Sequence, residues 1–168
     1  MSTTPRVLPQ VYLNGAILPI EQAHIPVLDR GYLFGDALYE VIPVYAGRLF
    51  RPERHLERLA QGLRATGISS TNSDADWLRI FTRVIDANGG GDMAVYLQVS
   101  RGVASYRDHA VRTQMEPGIF AMAQTLIPRA DDVSTRGVRT VLLEDTRWAR
   151  CNIKATSLLA NVLLRQQA

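Results

Sequence analysis

The chain has 168 residues, of which 46% are hydrophobic and 21% charged, a composition typical of a globular protein with its own core. No apolar run approaches the roughly 18 residues that a membrane span needs, and the first residues carry no signal-like apolar stretch. The net charge is +3, but the basic residues are dispersed, which argues against nucleic-acid binding. Because a single cysteine cannot form an internal disulfide, we expect a cytoplasmic protein.

The first half of the chain predicts two β-hairpins followed by two helices. Residues 11–19 contain an Asn-Gly pair, the favoured type I′ turn, between two short apolar runs. Residues 37–50 indicate a second strand pair. Apolar residues at helical spacing then predict a helix over 52–67, which a proline begins and a glycine ends, and another over 73–88 with a serine or aspartate cap.

The second half returns to strand patterns. Residues 95–99 and 119–123 read as strands, so the order of elements favours an α+β domain with two helices against a sheet over a regular βαβ alternation. Residues 138–143 form a further apolar strand pattern. A final helix would place Leu158, Leu159, Val162 and Leu163 on its inner face.

These patterns predict a division of the chain into domains. Residues 1–125 are expected to form the N-terminal α+β domain, and 126–136 a linker rich in proline, serine and aspartate. A strand and a helix alone cannot build a core, so 137–168 would begin a second, C-terminal domain whose remainder belongs to a longer parent protein.

Lysine is nearly absent from the chain. Of the 19 basic residues, Lys154 is the single lysine and the other 18 are arginine. An arginine side chain keeps its proton, whereas a lysine amine can lose it and form a Schiff base. The pattern therefore indicates either a position that requires an amine or one lysine that a bias toward arginine left in place.

Three polar segments, 28–40, 101–109 and 144–154, are candidates for chemistry. The first has two glycines flanking aromatics, which also suits a loop that only packs those rings. The second gathers two arginines and a histidine, suited to binding a carboxylate or to an exposed basic loop. The third leads into Lys154. The three histidines of the chain are far apart, and no metal site is predicted.

Together these segments resemble the class IV (fold type IV) pyridoxal-phosphate-dependent aminotransferases, and among them the bacterial D-amino-acid transaminases. The resemblance extends over nearly the whole chain. The matching motifs are Asp-Arg-Gly-Tyr-x-Phe-Gly-Asp at 29–36, Tyr-Glu-Val at 39–41, His-Leu-Glu-Arg-Leu at 55–59, Arg-Asp-His at 107–109 and Arg-Trp-Ala-Arg-Cys-Asn-Ile-Lys at 147–154.

The resemblance implies a cofactor and two residues that bind it. Lys154 matches the lysine that holds pyridoxal 5′-phosphate as a Schiff base and shuttles protons during transamination. Arg58 matches an arginine that contacts the cofactor phosphate. The implied fold is a two-layer α/β sandwich followed by the cofactor-binding domain, and members of the family continue well beyond residue 168.

The resemblance also implies how substrate is bound. Tyr39, Arg107 and His109 match the group that holds the substrate α-carboxylate, and Val41 matches a residue of the side-chain pocket. In the family the Arg-x-His pair comes from the partner subunit, so a homodimer acting on small amino acids and 2-oxo acids is expected. Pro43 departs from the lysine usual in the D-amino-acid enzymes, which bears on substrate choice.

Other members of the same class remain alternatives. A branched-chain aminotransferase, an (R)-amine transaminase and an aminodeoxychorismate lyase share the lysine and the fold but bind the carboxylate differently. The Arg107-x-His109 motif favours D-amino acids over branched-chain L-amino acids. An inactive truncated fragment that keeps only the dimer surface is a further alternative.

Overall fold

A computed structural model describes residues 4–111, 114–127 and 133–167 of the chain. The strands in these ranges are β1 (Gln10–Leu13), β2 (Ala16–Pro19), β3 (Ala37–Tyr45), β4 (Arg48–Leu49), β5 (Met93–Ser100) and β6 (Gly118–Thr125). The α-helices are α1 (Arg30–Phe34), α2 (Pro52–Thr66), α3 (Asp74–Ala87), α4 (Val133–Arg136) and α5 (Leu159–Gln167). The α+β class and the two predicted hairpins are confirmed.

All six strands form one antiparallel sheet in the order β2-β1-β6-β5-β3-β4. The first hairpin turns at Asn14 and Gly15, both with positive φ, as the Asn-Gly pair predicts. The longest pairing joins β3 to β5, from Ala37 opposite Ser100 to Val44 opposite Met93. On its other side, β3 pairs with β4 only through Val44 and Tyr45, so the first residues of β3 have no strand partner along that edge among the described residues.

Helices α2 and α3 cover one face of the sheet and create the core. Alternation along β3 sends Leu38, Glu40 and Ile42 toward this layer. Gly62 lets α2 lie close to β3, since a Cβ at this position would be 3.0 Å from Leu38 Cδ1. The main core residues are Leu56, Leu59 and Leu63 of α2, Trp77, Ile80, Phe81, Val84 and Ile85 of α3, and Leu38, Ile42, Val44, Val95, Leu97, Val99, Ala121 and Ala123 of the sheet.

The other face of the sheet carries a row of three aromatic side chains. Tyr39 stacks on Tyr96 with ring centroids 5.7 Å apart, and the ring centroid of Phe120 lies 6.4 Å from that of Tyr96.

No helix among the described residues is long and apolar enough to span a membrane.

The segment after residue 28, which suits a loop that packs aromatic rings, contains the short helix α1. Asp29 caps it by accepting a hydrogen bond from the Gly31 amide, and Gly35 ends it in the left-handed conformation. Tyr32 is exposed, so only one of the two flanked aromatics, Phe34, packs here, whereas Arg30 is buried. The helix therefore buries the Arg30 side chain and packs only one of the two rings.

The prediction of a strand at 138–143 is wrong. These residues form an exposed loop, because no strand in the described part of the chain pairs with them and an unpaired strand has no ladder to stabilise it. The final helix is present as α5, but its apolar residues Leu159, Val162 and Leu163 are exposed. Within the predicted linker, 128–132 lie outside the described residues, and α4 occupies its end.

The start of α3 gives a test of the local fold. Ser73 caps the helix with Asp76 in a capping box, so Ser73→Ala should lower the free energy of unfolding by about 1 kcal/mol. Thr82→Ala, at an exposed interior position of the same helix, is the control and should cost nothing. Urea unfolding of both variants measures the effect, and equal stabilities would contradict the assignment of the cap.

Candidate active site

The segment that carries Lys154 docks on the free edge of β3. The Tyr39 amide donates to the Lys154 carbonyl at 3.1 Å, and the Thr156 amide donates to the Ala37 carbonyl at 3.0 Å. Ile153, immediately before the lysine, is buried in the core. The backbone at Lys154 is therefore held from both sides, although it follows a long exposed loop.

The Lys154 amine lies over an aromatic ring. Its Nζ is 3.8 Å from the centroid of the Tyr39 ring, a cation–π distance. Tyr39 stacks on Tyr96, whose hydroxyl donates to Gln98 Oε1 at 2.7 Å. Burial, and then the proximity of Tyr39, raise the pKa of Tyr96 to about 12, so this hydroxyl remains a proton donor at neutral pH. The amine therefore faces the π surface of a stacked pair of tyrosine rings.

Arg58 is fixed by a buried carboxylate. Glu40 is 1% exposed and accepts two hydrogen bonds from Arg58, from Nε at 2.7 Å and from Nη2 at 2.6 Å. His55 Nδ1 lies 2.7 Å from the same carboxylate. The hydrogen bonds to Glu40 raise the pKa of Arg58 above its usual value. The result is a half-exposed guanidinium with a fixed orientation, which suits a phosphate or carboxylate ligand.

Lys154, Tyr39 and Arg58 line one cavity of about 230 Å³. Trp148 and Asn152, from the segment before the lysine, form part of its wall. An amine that can form an imine and a guanidinium suited to an oxyanion thus share one small space. This donor set fits a phosphorylated aldehyde such as pyridoxal phosphate, for which Lys154 and Arg58 would be the contacts.

Glu40 and His55 fix Arg58 in the candidate site, although the sequence analysis did not predict either of them as a site residue. A signal for both is present in the sequence. Glu40 occupies an inward position of an apolar strand pattern, where a carboxylate requires a partner. His55 and Arg58 stand three residues apart, on the same side of α2, which supplies such partners.

Val41 lies on the same sheet face as Tyr39, opposite Tyr96 of β5. It is 38% exposed and is not among the described residues that line the Lys154 cavity. Its position on the open face is compatible with contact to a ligand that extends from that cavity across the sheet.

Arg107 and His109 lie on a loop and not in the lining of the Lys154 cavity. Both are exposed on the loop between β5 and β6, and among the described residues neither lines the Lys154 cavity. Arg30 holds this loop by donating from Nη1 to the Asp108 carbonyl and from Nη2 to the His109 carbonyl, the latter at 2.9 Å. The Arg107 guanidinium lies 5.2 Å from the centroid of the Phe34 ring. Within one chain the six predicted site residues are therefore divided between the Lys154 cavity with its adjoining sheet face and the loop between β5 and β6.

Arg101, the other arginine of the same polar segment, is held by hydrogen bonds to Asp36 and to the end of α2. It donates to Asp36 from Nε at 2.7 Å and from Nη2 at 3.0 Å, and to the Thr66 and Gly67 carbonyls at the end of α2. Burial alone would raise the pKa of Asp36, but hydrogen bonds from Arg101 and Arg30 hold it below its usual value. Arg101 thus ties the sheet to α2 and does not face a ligand site.

Comparison with known proteins places this geometry in a family. Residues 37–168 match the sequence profile described as amino-transferase class IV. A D-alanine aminotransferase from Staphylococcus aureus (strain N315) is 37% identical over 160 residues, covering 95% of this chain and 56% of that protein. A D-alanine aminotransferase from Bacillus licheniformis is 35% identical over 159 residues, with the same coverage. The chain spans about half the length of the curated relatives it matches.

Solved structures agree on the fold. A 4-amino-4-deoxychorismate lyase from Pseudomonas aeruginosa superposes with a TM-score of 0.75 at 24% identity, over 94% of this chain and 56% of that one. A branched-chain amino acid aminotransferase from Escherichia coli gives a TM-score of 0.64 at 16% identity, over 71% of this chain and 41% of that one. The resemblance seen in the sequence motifs is confirmed, and the chain belongs to the class IV aminotransferase family.

Proposed function

We propose that this chain forms the N-terminal part of a pyridoxal-phosphate-dependent transaminase that moves an amino group between a D-amino acid, of the D-alanine or D-glutamate type, and a 2-oxo acid. The observation that carries the proposal is that the Lys154 amine and the fixed guanidinium of Arg58 line the same cavity. The similarity to a D-alanine aminotransferase that is 37% identical over 95% of this chain supports the substrate class.

Residues 137–168 would begin the second domain of this enzyme. The exposed apolar side chains of Leu159, Val162 and Leu163 support this division, since a helix with such a face is stabilised by packing it against another layer. The rest of the cofactor site would come from that domain. Residues 1–125 would form the first domain, with the intervening residues as the linker.

Two side chains of this chain would hold the cofactor. Lys154 Nζ would bind the aldehyde carbon as a Schiff base, and the Arg58 guanidinium would donate to the phosphate. When bound, pyridoxal phosphate supplies an electron sink for the bonds at the substrate α-carbon. Glu40 and His55 act indirectly, since they fix the direction in which Arg58 donates.

Lys154 Nζ would also move the proton. The free amine would accept the proton from the substrate α-carbon and would deliver it, on the same face, to the aldehyde carbon of the cofactor, which is the proton shift that transamination requires. An arginine cannot do this, because its guanidinium stays charged. One amine serves one face of the site. The hand of the amino acid therefore depends on where its carboxylate is held.

Arg107 and His109 would hold that carboxylate from a neighbouring subunit, with Tyr39 contributing from the same subunit as Lys154. Their exposure, and the fact that neither is among the described residues that line the Lys154 cavity, support a role across a homodimer interface. Tyr39 and Val41, adjacent on the open sheet face, would contact the substrate from the other side. A planar guanidinium and an imidazole give the carboxylate several charge-assisted donors.

The first test identifies the lysine. Borohydride reduction of the full-length protein with pyridoxal phosphate, followed by peptide mapping, should place the label on Lys154. Lys154→Arg keeps the charge but cannot form an imine, and should lose both the label and the visible absorbance of the bound cofactor. A label on another amine in the wild-type protein would overturn the assignment, and an unlabelled protein without visible absorbance would indicate an inactive relative.

The second test concerns the phosphate contact. Arg58→Lys keeps the charge but loses the two-pronged donor, so cofactor should dissociate about tenfold more readily. Arg54→Lys, on the same helix but 78% exposed in its side chain and paired only weakly with Glu57, is the matched control and should match wild type. Equilibrium dialysis measures retention. Equal retention in both variants would remove Arg58 from the cofactor site.

The third test asks which subunit supplies the carboxylate contact. Arg107→Ala should lower kcat/KM for D-alanine by at least about tenfold while cofactor absorbance is retained. When Arg107→Ala and Lys154→Ala proteins are mixed, heterodimers should regain activity, since one of their two sites has both residues. Heterodimers that form but stay inactive would place Arg107 in the same subunit as Lys154 or outside the mechanism.

A further inference from the structure

Arg30 is a buried cation whose donors reach the predicted substrate loop. It is 3% exposed, and a buried guanidinium is costly unless its donors are satisfied. Nε donates to Asp36 at 2.8 Å, which balances the charge. Nη1 and Nη2 donate to two successive loop carbonyls, those of Asp108 and His109. A planar fork on consecutive carbonyls fixes both the position and the direction of that backbone.

Helix α1 is itself anchored where the loop begins. The Asp29 carboxylate accepts from the Gly31 amide at 2.7 Å and from the Ser100 hydroxyl at 2.8 Å. The Arg30 amide donates to the Gly102 carbonyl at 2.9 Å. Arg30 therefore contacts the distant part of the loop from a helix that is hydrogen-bonded to the end of β5. The position of its guanidinium is fixed relative to the sheet.

Phe34, one turn after Arg30 on α1, lies beside the loop's own arginine. The centroid of its ring is 5.2 Å from the Arg107 guanidinium and 4.9 Å from the Arg30 guanidinium. Cations within about 6 Å of an aromatic centroid are attracted to the ring. Phe34 is thus the described aromatic contact of Arg107, and it restricts where an otherwise exposed side chain rests.

We propose that Arg30 and Phe34 are positioning residues for carboxylate recognition: Arg30 fixes the backbone of the Arg107-x-His109 loop, and Phe34 orients the Arg107 side chain. The proposal rests on the proposed function, because it assigns a purpose to that loop only if Arg107 binds substrate. It adds that the Asp-Arg-Gly-Tyr-x-Phe segment contributes to substrate binding through that loop, and not only to the stability of the fold.

Kinetics of the full-length holoenzyme provide the test. Arg30→Lys keeps the charge beside Asp36 but cannot reach two carbonyls in one plane. We expect KM for D-alanine to rise about tenfold, with kcat and cofactor absorbance near wild type. In the double variant with Arg107→Ala, KM should be no higher than in Arg107→Ala alone, because the two changes remove the same contact.

Arg101→Lys is the matched control. Arg101 shares Asp36 with Arg30 and also donates to two backbone carbonyls, but those belong to the end of α2. It should lower the unfolding midpoint without raising KM for D-alanine. If Arg101→Lys and Arg30→Lys raise KM alike, or if Arg30→Lys adds fully to Arg107→Ala, the role of Arg30 is general stability and the proposal is overturned.

Phe34 gives an independent arm if Arg30→Lys does not fold. Phe34→Leu removes the ring and should raise KM for D-alanine, whereas Phe34→Tyr keeps the ring and should have the wild-type KM. No change in KM with Phe34→Leu would overturn the orienting role. Arg107→Ala distinguishes failure of the proposed function from failure of the positioning proposal. If KM for D-alanine is unchanged in Arg107→Ala, the proposed carboxylate contact itself is refuted. If KM rises in Arg107→Ala but stays at the wild-type value in Arg30→Lys and Phe34→Leu, only the positioning roles are refuted.

Discussion

The pairing of β3 with β5 along almost the whole of β3 determines where every other part of the candidate site lies. Because alternate side chains of a strand point to opposite faces, this one register sends Glu40 toward the helices and Tyr39 and Val41 toward the open face. The unpaired edge of β3 then receives the backbone of Lys154. One strand thus supplies two faces and an edge, and a slip of one residue would exchange the two faces.

Two carboxylates, Glu40 and Asp36, fix the orientation of three arginines. Glu40 orients Arg58 toward the cavity, and Asp36 joins Arg30 to Arg101. In each case one carboxylate contacts two side chains, since Asp36 joins two arginines and Glu40 contacts His55 as well as Arg58. A lysine could balance these charges but could not repeat the forked donor geometry. The abundance of arginine in the sequence therefore has a structural use at these positions, whatever its origin elsewhere.

Local patterns predicted most of the fold, since the turns, caps and helical faces are encoded by neighbouring residues. The strand at 138–143 failed because apolar pattern alone does not provide a pairing partner. In the site, Lys154 and Arg58 were found by motif, but their shared cavity depends on a contact between β3 and a segment far along the chain. The buried role of Arg30 was not predictable, because it depends on a loop that folds back over α1.

The two tryptophans of the chain occupy unlike surroundings. Trp77 is 3% exposed in the core between α3 and the sheet, whereas Trp148 is 48% exposed and forms part of the wall around the Lys154 amine. Indole emission depends on local polarity and on nearby quenching groups. The fluorescence of Trp77 should therefore report whether the sheet and its helices are folded, while that of Trp148 should respond to a ligand in the cavity. The protein carries two intrinsic optical reporters, one for folding and one for occupancy.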